Sequence, residues 1–353
     1  MTAEIVAAAA DAWAFHPRGQ FNQLALDHVA FDDLTGREAF ESAALRDVTA
    51  DTSAVAVVGP IGAGKSSLIA AVCGRLPESH VALRVPVTGA DDPTHVSTLA
   101  ALALSSALSA VEMDHYQRSA LERERADRVT QTHAPIGITG GRLGGGRFPA
   151  GVDVELGSLR EEYQTQRLAG ERLVGLDRLI SILVSHERQP VFVLEDTEAA
   201  IGGANRTEVA DQIFDGPIRA FMREVDAACL IAVQEHIAAQ SASFQRLAPE
   251  LRLVPLPTFD DAAGHLALAA IVDHRLSIHG LPGTSGDVVG DDAFQVLLAF
   301  YRETNRSIRH VLAALQSATE HAADMGSALV RAPHVHAAAE DWRPRLQDHP
   351  GAR

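Results

Sequence analysis

Short apolar runs alternate with longer amphipathic stretches through the middle of the chain. The runs are rich in branched side chains and bounded by turn-forming residues, which is typical of strands buried on both faces. They lie at residues 54–58, 80–87, 191–194, 229–233 and 251–256. Helical spacing prevails between them. Strands that alternate with helices predict an α/β fold with a parallel sheet and right-handed crossovers.

The pattern changes after Pro257, where only helical spacing continues, at residues 258–278, 291–304, 306–325 and 333–342. Helices are also predicted at 2–14 and 37–47. Residues 112–157 interrupt the alternation with a mixed-charge helix, a glycine-rich stretch and a short β-like piece at 152–156, so we interpret them as an insertion. The predicted organisation is an N-terminal helical segment (1–30), an α/β core (31–257) and a helical lid domain (258–353).

Composition and charge limit the class of protein. Hydrophobic residues make up 46% of the chain and charged residues 22%, which is ordinary for a globular protein. No apolar run is long enough to cross a bilayer, and the first residues lack the basic region of a signal peptide, so a cytoplasmic protein without a membrane partner is expected. The net charge of −16 disfavours a broad nucleic-acid surface. Cys73 and Cys229 have no metal-ligand spacing, which indicates buried thiols.

A glycine-rich loop follows the first predicted strand and precedes a helix. It fits the pattern G-x-x-x-x-G-K-[ST] with the residues Gly59, Pro60, Ile61, Gly62, Ala63, Gly64, Lys65 and Ser66. Such a loop turns backbone N–H groups toward phosphate oxygens, and the next helix adds its N-terminal dipole. Lys65, the only lysine in the chain, is expected to reach the β- and γ-phosphates. The Ser66 hydroxyl is expected to bind Mg²⁺, and Ser67 to complete the nucleotide contacts.

Two carboxylates end the third predicted strand. Glu195 and Asp196 follow the apolar run 191–194 and should lie at the edge where open parallel sheets bind ligands. One acid can hold Mg²⁺ while its neighbour orients the attacking water. By position, Glu195 is the metal-side acid and Asp196 the water-side acid, although glutamate is atypical in the metal-side place. Glu198 is a further candidate, and the assignment stays open.

The order of these motifs resembles that of the AAA+ ATPases, in particular the branch of STAND switches and origin-recognition-type initiators. Residues 59–66 are similar to its Walker A loop and residues 191–196 to its Walker B strand. Residues 34–38 look like its GRe box, which implies that Arg37 packs near the adenine. The resemblance covers residues 31–325 without the insertion. It implies an α/β P-loop NTPase sheet of AAA+ type with a C-terminal all-helical lid, which binds and hydrolyses ATP with Mg²⁺.

The same resemblance implies roles for three further residues. Gln234, just past the fourth strand, is in the sensor 1 place, where it contacts the γ-phosphate or positions water. Residues 305–310 resemble the sensor 2 segment, with Arg309 as its arginine and Arg306 as the second choice. Arg246 is the candidate arginine finger that completes a neighbouring subunit's site. The chain departs from initiators of this type in that no winged-helix pattern follows the lid.

The hypothesis favoured by these patterns is an ATP-dependent switch or remodelling ATPase that self-assembles and acts on a separate protein partner. The alternative is a DNA-associated loader or transposition-type ATPase, whose basic surface would comprise Arg142, Arg147 and the helix 118–128. A small-molecule P-loop kinase is a third hypothesis, which the long helical C-terminal region disfavours. The sequence leaves open ATP versus GTP, the partner and the size of the oligomer.

Overall fold

The fold was analysed in a computed structural model. It describes residues 2–17, 21–35, 39–50, 54–87, 96–133, 174–195, 197, 206–225, 227–259 and 261–347. The predicted β-like piece at 152–156 lies outside these residues. Helical spacing also predicts a helix at residues 159–185, and its first part lies outside them as well. Arg142 and Arg147 of the alternative DNA-binding surface also lie outside them.

A parallel sheet forms the centre of the core. Its strands are β1 (Ala54–Gly59), β2 (His80–Pro86), β3 (Gln189–Glu195), β4 (Ala228–Gln234) and β5 (Arg252–Pro255), arranged in the order β2-β3-β4-β1-β5. Every neighbouring pair is parallel. The carboxyl ends of all strands therefore meet at one edge. The predicted strands and the parallel sheet are confirmed, with boundaries shifted by one or two residues.

Helices flank the sheet and form the C-terminal region. Along the core they are α1 (Thr2–Asp11), α2 (Phe21–Leu26), α3 (Phe31–Thr35), α4 (Phe40–Thr49), α5 (Lys65–Gly74), α6 (Val96–Ala110), α7 (His115–His133), α8 (Val174–Ser185), α9 (Arg206–Ile213), α10 (Arg219–Glu224), α11 (Glu235–Gln240) and α12 (Ala242–Leu247). The lid comprises α13 (Asp261–Ile278), α14 (Ser285–Val288), α15 (Asp291–Glu303), α16 (Ile308–Asp324) and α17 (Ala332–Gln347). The predicted fold class, an α/β P-loop sheet with a helical C-terminal region, is confirmed.

Alternate side chains of the buried strands serve opposite faces of the sheet. Val191 and Val193 of β3 pack in one hydrophobic cluster with α5. Phe192 and Leu194 of the same strand pack in a second cluster with α6 and α9. The cluster on the α5 side continues without interruption into α13, α15 and α16. The sheet and the lid therefore share one apolar core.

The N-terminal helix packs against the lid. Helix α1 lies along α16, and its residues Ile5, Val6 and Ala9 are buried there. The buried Gln316 side chain of α16 accepts a hydrogen bond from the Phe15 N–H (3.0 Å) and donates one to the Ala10 carbonyl (3.3 Å). Helix α1 thus packs on the lid, and the chain then crosses to the core. The lid is therefore joined to the core both through this crossing and through the chain that follows β5.

One predicted helix break takes a different form. The sequence Gly216-Pro217 predicts an interruption of the helix at residues 207–225, yet the backbone continues from α9 to α10 through a π-helical turn, Phe214–Ile218. Proline lacks the N–H that an α-helix needs, and the wider turn accommodates it without ending the helix.

Two further expectations concern membranes and thiols. Among the described residues no helix is both long and apolar enough to cross a bilayer. Cys229 is buried and Cys73 half-buried, and burial raises the pKa of each thiol to about 12. The predicted burial is therefore confirmed for Cys229 and only partly for Cys73, and both thiols stay protonated near neutral pH.

Candidate functional site

The glycine-rich loop joins the end of β1 to the start of α5. Gly62 has φ +72° and Gly64 has φ +103°, conformations that glycine adopts without steric cost. The Ala63 N–H donates to the Pro60 carbonyl at 3.3 Å, which closes the turn. Helix α5 begins at Lys65 and therefore directs its unpaired N–H groups into the loop. This is the geometry that the sequence motif predicts.

Lys65 is folded back onto the loop. Its side chain is buried, and Nζ donates to the carbonyl of Gly59 at 3.0 Å and to that of Pro60 at 2.7 Å. A buried ammonium is tolerated only with such partners. Both of these carbonyl partners are neutral, so neither of them cancels the positive charge of Lys65.

A pocket opens beside the loop, between the core and the lid. The loop contributes Gly62, Ala63, Gly64, Lys65, Ser66 and Ser67 to its lining. The rest of the lining includes the apolar residues Leu24, Val29, Phe31, Leu34, Phe259, Ile271, Ile308 and Leu312, together with Pro17, Asp27, His28, Arg275 and Arg309. Arg309 is exposed at the start of the lid helix α16. The structure thus brings together most of the predicted phosphate-binding residues and the predicted sensor 2 arginine.

The lid contacts the loop directly at Gly62. The Arg309 N–H donates to the Gly62 carbonyl at 3.1 Å. Ser307, which caps the N-terminus of α16, packs so closely that a Cβ at Gly62 would lie 2.3 Å from its Oγ. The first turn of α16 and the loop therefore form one continuous wall of the pocket.

We expect Gly62→Ala to separate the lid from the loop, because the new methyl group would overlap Ser307 and φ +72° disfavours alanine. The fluorescence-detected affinity for a labelled ATP analogue should fall about tenfold or more. Gly74→Ala is the matched control, since Gly74 lies in α5 with open space around its Cβ position. Equal affinities of the two variants would contradict the prediction.

Gln234 ends β4 beside the start of the loop. It is in register with Gly59 of the neighbouring strand β1 and is buried. The next residue, Glu235, forms an ion pair of 2.8 Å with Arg306 of the lid. Arg306 and Asn305 both have positive φ, 63° and 51°, an uncommon conformation for non-glycine residues. Arg306, the second choice for sensor 2, therefore serves here as a link between lid and core.

Glu195 lies at the carboxyl end of β3 but is bound to another side chain. The guanidinium group of Arg84 on β2 donates to both carboxylate oxygens, with Nε–Oε1 at 2.9 Å and Nη2–Oε2 at 2.5 Å. Glu195 is not among the residues that line the pocket. Its metal role stays a prediction. The other predicted acids, Asp196 and Glu198, and the GRe-box residue Arg37 lie outside the described residues.

Arg246 lies on α12, away from the pocket. Its side chain is 55% exposed and donates to Asp215 at 3.4 Å and to the Ser243 hydroxyl at 2.9 Å. Asp215 belongs to the π-helical turn and also pairs with Arg219 at 2.8 Å. A half-exposed arginine that is held at its own surface can reach a neighbouring subunit, and its role as a finger stays a prediction.

The pocket contains a polar network that the sequence patterns did not indicate. His28 contacts Ser67 Oγ through Nδ1 (3.0 Å) and Glu41 Oε1 through Nε2 (2.7 Å). The Glu41 carboxylate also accepts from the Phe31 N–H (2.7 Å) and from Arg75 (2.9 Å). Burial acts to raise the pKa of Glu41, but these partners lower it below its ordinary value. The network ties the pocket lining at His28 and Phe31 to α5.

A buried ion pair lines the same pocket. Arg275 of α13 and Asp27, just after α2, lie 2.8 Å apart, with side-chain exposures of 5% and 2%. The pair connects the lid with the segment that crosses from lid to core. Sequence spacing could not reveal it, because its members lie far apart along the chain. The residue types gave one indication of such a pair, because an Asp or Arg that is fully buried is seldom without a partner of opposite charge.

The donor set of the pocket fits a nucleotide. Its apolar lining residues suit a base, and the loop, Lys65 and Arg309 suit phosphate groups. The Ser66 hydroxyl is exposed at the start of α5 and can serve a divalent cation. In the described part of the chain no three His, Cys, Asp or Glu side chains gather as a metal cage. A magnesium ion here would therefore depend on phosphate oxygens together with Ser66 and an acid.

Two solved structures have a chain arrangement that resembles the one described here. The ORC1 protein of Aeropyrum pernix, solved in complex with DNA, is similar at 16% identity and a TM-score of 0.47, with 88% of this chain and 67% of that chain covered. The ORC2 protein of Aeropyrum pernix in its ADPNP–ADP complexes gives 15% identity and 0.46, with coverages of 87% and 66%. At this level the similarity does not indicate an activity. No protein-family model matches, and no curated protein sequence matches.

Proposed function

We propose that this chain binds ATP with Mg²⁺ and hydrolyses it as an AAA+-type switch or remodelling ATPase. The observation that carries the proposal is the pocket shared by the loop 62–67 and the lid, with Lys65 in the loop and Arg309 in the first turn of the lid helix α16. A ligand that contacts both the loop and the lid stabilises the lid against the core. Binding and lid position are therefore linked.

Each residue of the pocket has its own role in this proposal. Lys65 exchanges its two carbonyl partners for β- and γ-phosphate oxygens, which strengthens both hydrogen bonds by adding charge. The N–H groups at the start of α5 receive the remaining phosphate oxygens. Arg309 stabilises charge at the γ-phosphate and holds the lid closed. Bound Mg²⁺ would supply charge neutralisation on the phosphates, with Ser66 and Glu195 as its protein ligands.

Hydrolysis requires a positioned water. Gln234 is proposed to orient it, since its place beside Gly59 puts a polar side chain at the strand end next to the loop. Asp196 is proposed as the water-side acid. Arg246 is proposed to leave Asp215 and insert into the site of a second copy of this chain, which makes turnover dependent on assembly. A separate protein partner would then respond to the assembled state.

The test is the dependence of ATP turnover on protein concentration, measured alongside size-exclusion chromatography with ATP, ADP and no nucleotide. We expect ATP-dependent assembly, and a turnover per subunit that rises with concentration. Arg246→Ala should lower the assembled rate by about 10³-fold if the arginine acts in trans. Arg223→Ala is the matched control, because Arg223 is also half-exposed and paired with an acid, Glu250.

One unchanged monomer under all three conditions would overturn the assembly part of the proposal. If Arg223→Ala loses as much turnover as Arg246→Ala, the loss comes from removing any exposed, paired arginine and not from a specific role of Arg246. The same turnover assay with GTP in place of ATP shows which base the site prefers.

A further inference from the structure

His28 lies in the lining of the pocket and is bound at both of its ring nitrogens. Nδ1 is 3.0 Å from the hydroxyl oxygen of Ser67 on α5, and Nε2 is 2.7 Å from the carboxylate of Glu41 on α4. The side chain of His28 is only 7% exposed. Its ring also packs against the ring of Phe31, with 5.8 Å between the centroids. His28 therefore adjoins both the helix that follows the glycine-rich loop and an apolar residue of the lining.

The hydrogen on Nε2 follows from the partners of Glu41. Besides His28, the Glu41 carboxylate accepts from the Phe31 N–H at 2.7 Å and from Arg75 at 2.9 Å. Burial acts to raise the pKa of Glu41, but the contacts with His28, Phe31 and Arg75 lower it below its ordinary value. An ionised carboxylate has no hydrogen to donate. Nε2 of His28 must therefore carry the hydrogen of this contact.

The hydrogen on Nδ1 follows from the single hydrogen of the Ser67 hydroxyl group. That group donates to the Leu24 carbonyl at 3.2 Å, in the last turn of α2. The last carbonyls of a helix need donors from outside the helix, and a carbonyl oxygen can only accept. Because a hydroxyl group donates one hydrogen bond, the Ser67 oxygen accepts from His28. Both ring nitrogens then carry a hydrogen, so His28 is an imidazolium cation.

The surrounding charges neutralise this cation only in part. Glu41 is shared between His28 and Arg75, so one positive charge of this cluster is left over. Other charged or titratable groups on the elements packed around it are Asp32 of α3, Lys65 of α5, the ion pair of Asp27 with Arg275, and His274 of α13. With His274 neutral, these carry two positive and two negative charges. An anionic ligand in the pocket is therefore attracted to His28, whose low exposure limits screening by solvent.

We propose that His28 is a third cationic residue of the pocket, beside Lys65 and Arg309, and that its imidazolium charge attracts the phosphate groups of the nucleotide. This inference rests on the proposed function, because it concerns the ligand of the same pocket. It makes the affinity for phosphorylated ligands depend on pH. The affinity is high where the ring carries both hydrogens and falls as pH rises and the ring loses a proton, because the neutral ring no longer attracts phosphate.

The test compares the native chain with His28→Gln, which keeps a polar side chain but cannot become a cation. Dissociation constants for ATP are measured by isothermal titration calorimetry in EDTA, from about pH 5 to about pH 8. ATP should bind the native chain about five- to tenfold tighter than His28→Gln at the acid end, and within about twofold of it at the alkaline end. Ionisation of the nucleotide affects both proteins alike, so the ratio of the two dissociation constants isolates the effect of His28.

Two controls separate the charge of His28 from its packing. Adenosine has the base but no phosphate, so its affinity, measured by competition with a labelled ATP analogue, should be the same for both proteins within about twofold. His274→Gln is the matched variant, because His274 contacts the same segment, at the Leu26 carbonyl (2.8 Å), but is not among the residues that line the pocket. Its ATP affinity should follow the native pH profile.

His28→Lys restores a positive charge that does not titrate in this range. It should bind ATP more tightly than His28→Gln at every pH, and the ratio of their dissociation constants should not change with pH. If His28→Gln does not fold, as judged by thermal unfolding, the pH profile of the native chain is compared with that of His28→Lys.

A constant ratio between the native chain and His28→Gln from about pH 5 to about pH 8 overturns the inference, because His28 would then act only through its shape. An equal loss of adenosine and ATP affinity in His28→Gln overturns it as well. If the native chain binds no ATP at any pH, the proposed function itself fails, which distinguishes the two failures.

Discussion

Replacement of Lys65 by alanine is expected to lower ATP affinity by about 100-fold or more, which corresponds to about 2.7 kcal/mol. The reason is that the ammonium group is buried and already lies at the loop, where charge-assisted hydrogen bonds to phosphate contribute about 1.5–3 kcal/mol each. Isothermal titration calorimetry with ATP, with and without Mg²⁺, measures the change. The ATP affinity of Lys65→Arg should lie between that of the native chain and that of Lys65→Ala, because a planar guanidinium group does not fit the space that the compact ammonium occupies.

Arg188→Ala serves as a control for the loss of one positive charge, because Arg188 is exposed and lies on the turn before β3, away from the pocket. Its ATP affinity should stay within about twofold of the native value. An unchanged affinity of Lys65→Ala would contradict the proposed phosphate site. As Lys65 is the only lysine, no second lysine can replace it.

The largest stability effect is expected at the buried pair Asp27–Arg275. Asp27→Ala removes the carboxylate and leaves the guanidinium group of Arg275 in a nearly dry environment, since the two side chains are 2% and 5% exposed. Breaking a buried pair in this way typically costs about 3–5 kcal/mol. Urea denaturation should show a correspondingly lower midpoint. The lid should also detach more readily, because the pair joins α13 to the crossing segment.

Glu303→Ala is the matched control for this prediction. It also breaks an Arg–carboxylate pair in the lid, with Arg343 at 3.2 Å, but both side chains are about half exposed. The loss of free energy of unfolding should be below about 1 kcal/mol. Similar losses in the free energy of unfolding for Asp27→Ala and Glu303→Ala would show that burial does not determine how much each ion pair contributes to stability. The double variant Asp27→Leu/Arg275→Met should recover much of the loss, because it leaves no unpaired charge.

The elements that the sequence predicted well are those with strong local signals. The apolar runs of β1, β3 and β4 have no alternation, which already indicates burial on both faces, and the observed strands agree. The helices α13, α15 and α16 are long, α15 and α16 are clearly amphipathic, and all three lie within a few residues of the predicted bounds. The short helices α2 and α3 were missed, because five or six residues give too little periodicity to distinguish them from a loop.

For the candidate site, the loop 59–66 and its lysine could be predicted because their chemistry depends on residues adjacent in sequence. Gln234 was assigned through the resemblance to AAA+ ATPases; it lies in register with Gly59 of β1, and its sensor role stays a prediction. The contact of Gly62 with Ser307 could not be predicted, because it depends on how the lid packs on the core. The segment 24–34 was also missed as a wall of the pocket, since it carries no motif.

The sequence by itself determined the parallel α/β sheet, the glycine-rich loop between β1 and α5 and the helical C-terminal region, because periodicity and local backbone chemistry specify each of them. Only the tertiary structure decided which charged groups meet. It pairs Glu195 with Arg84 and Asp27 with Arg275 across long intervals of chain, and it places α1 on the lid. The physical reason is that burial and electrostatic pairing depend on distances in space, which the packing of the sheet against the lid sets.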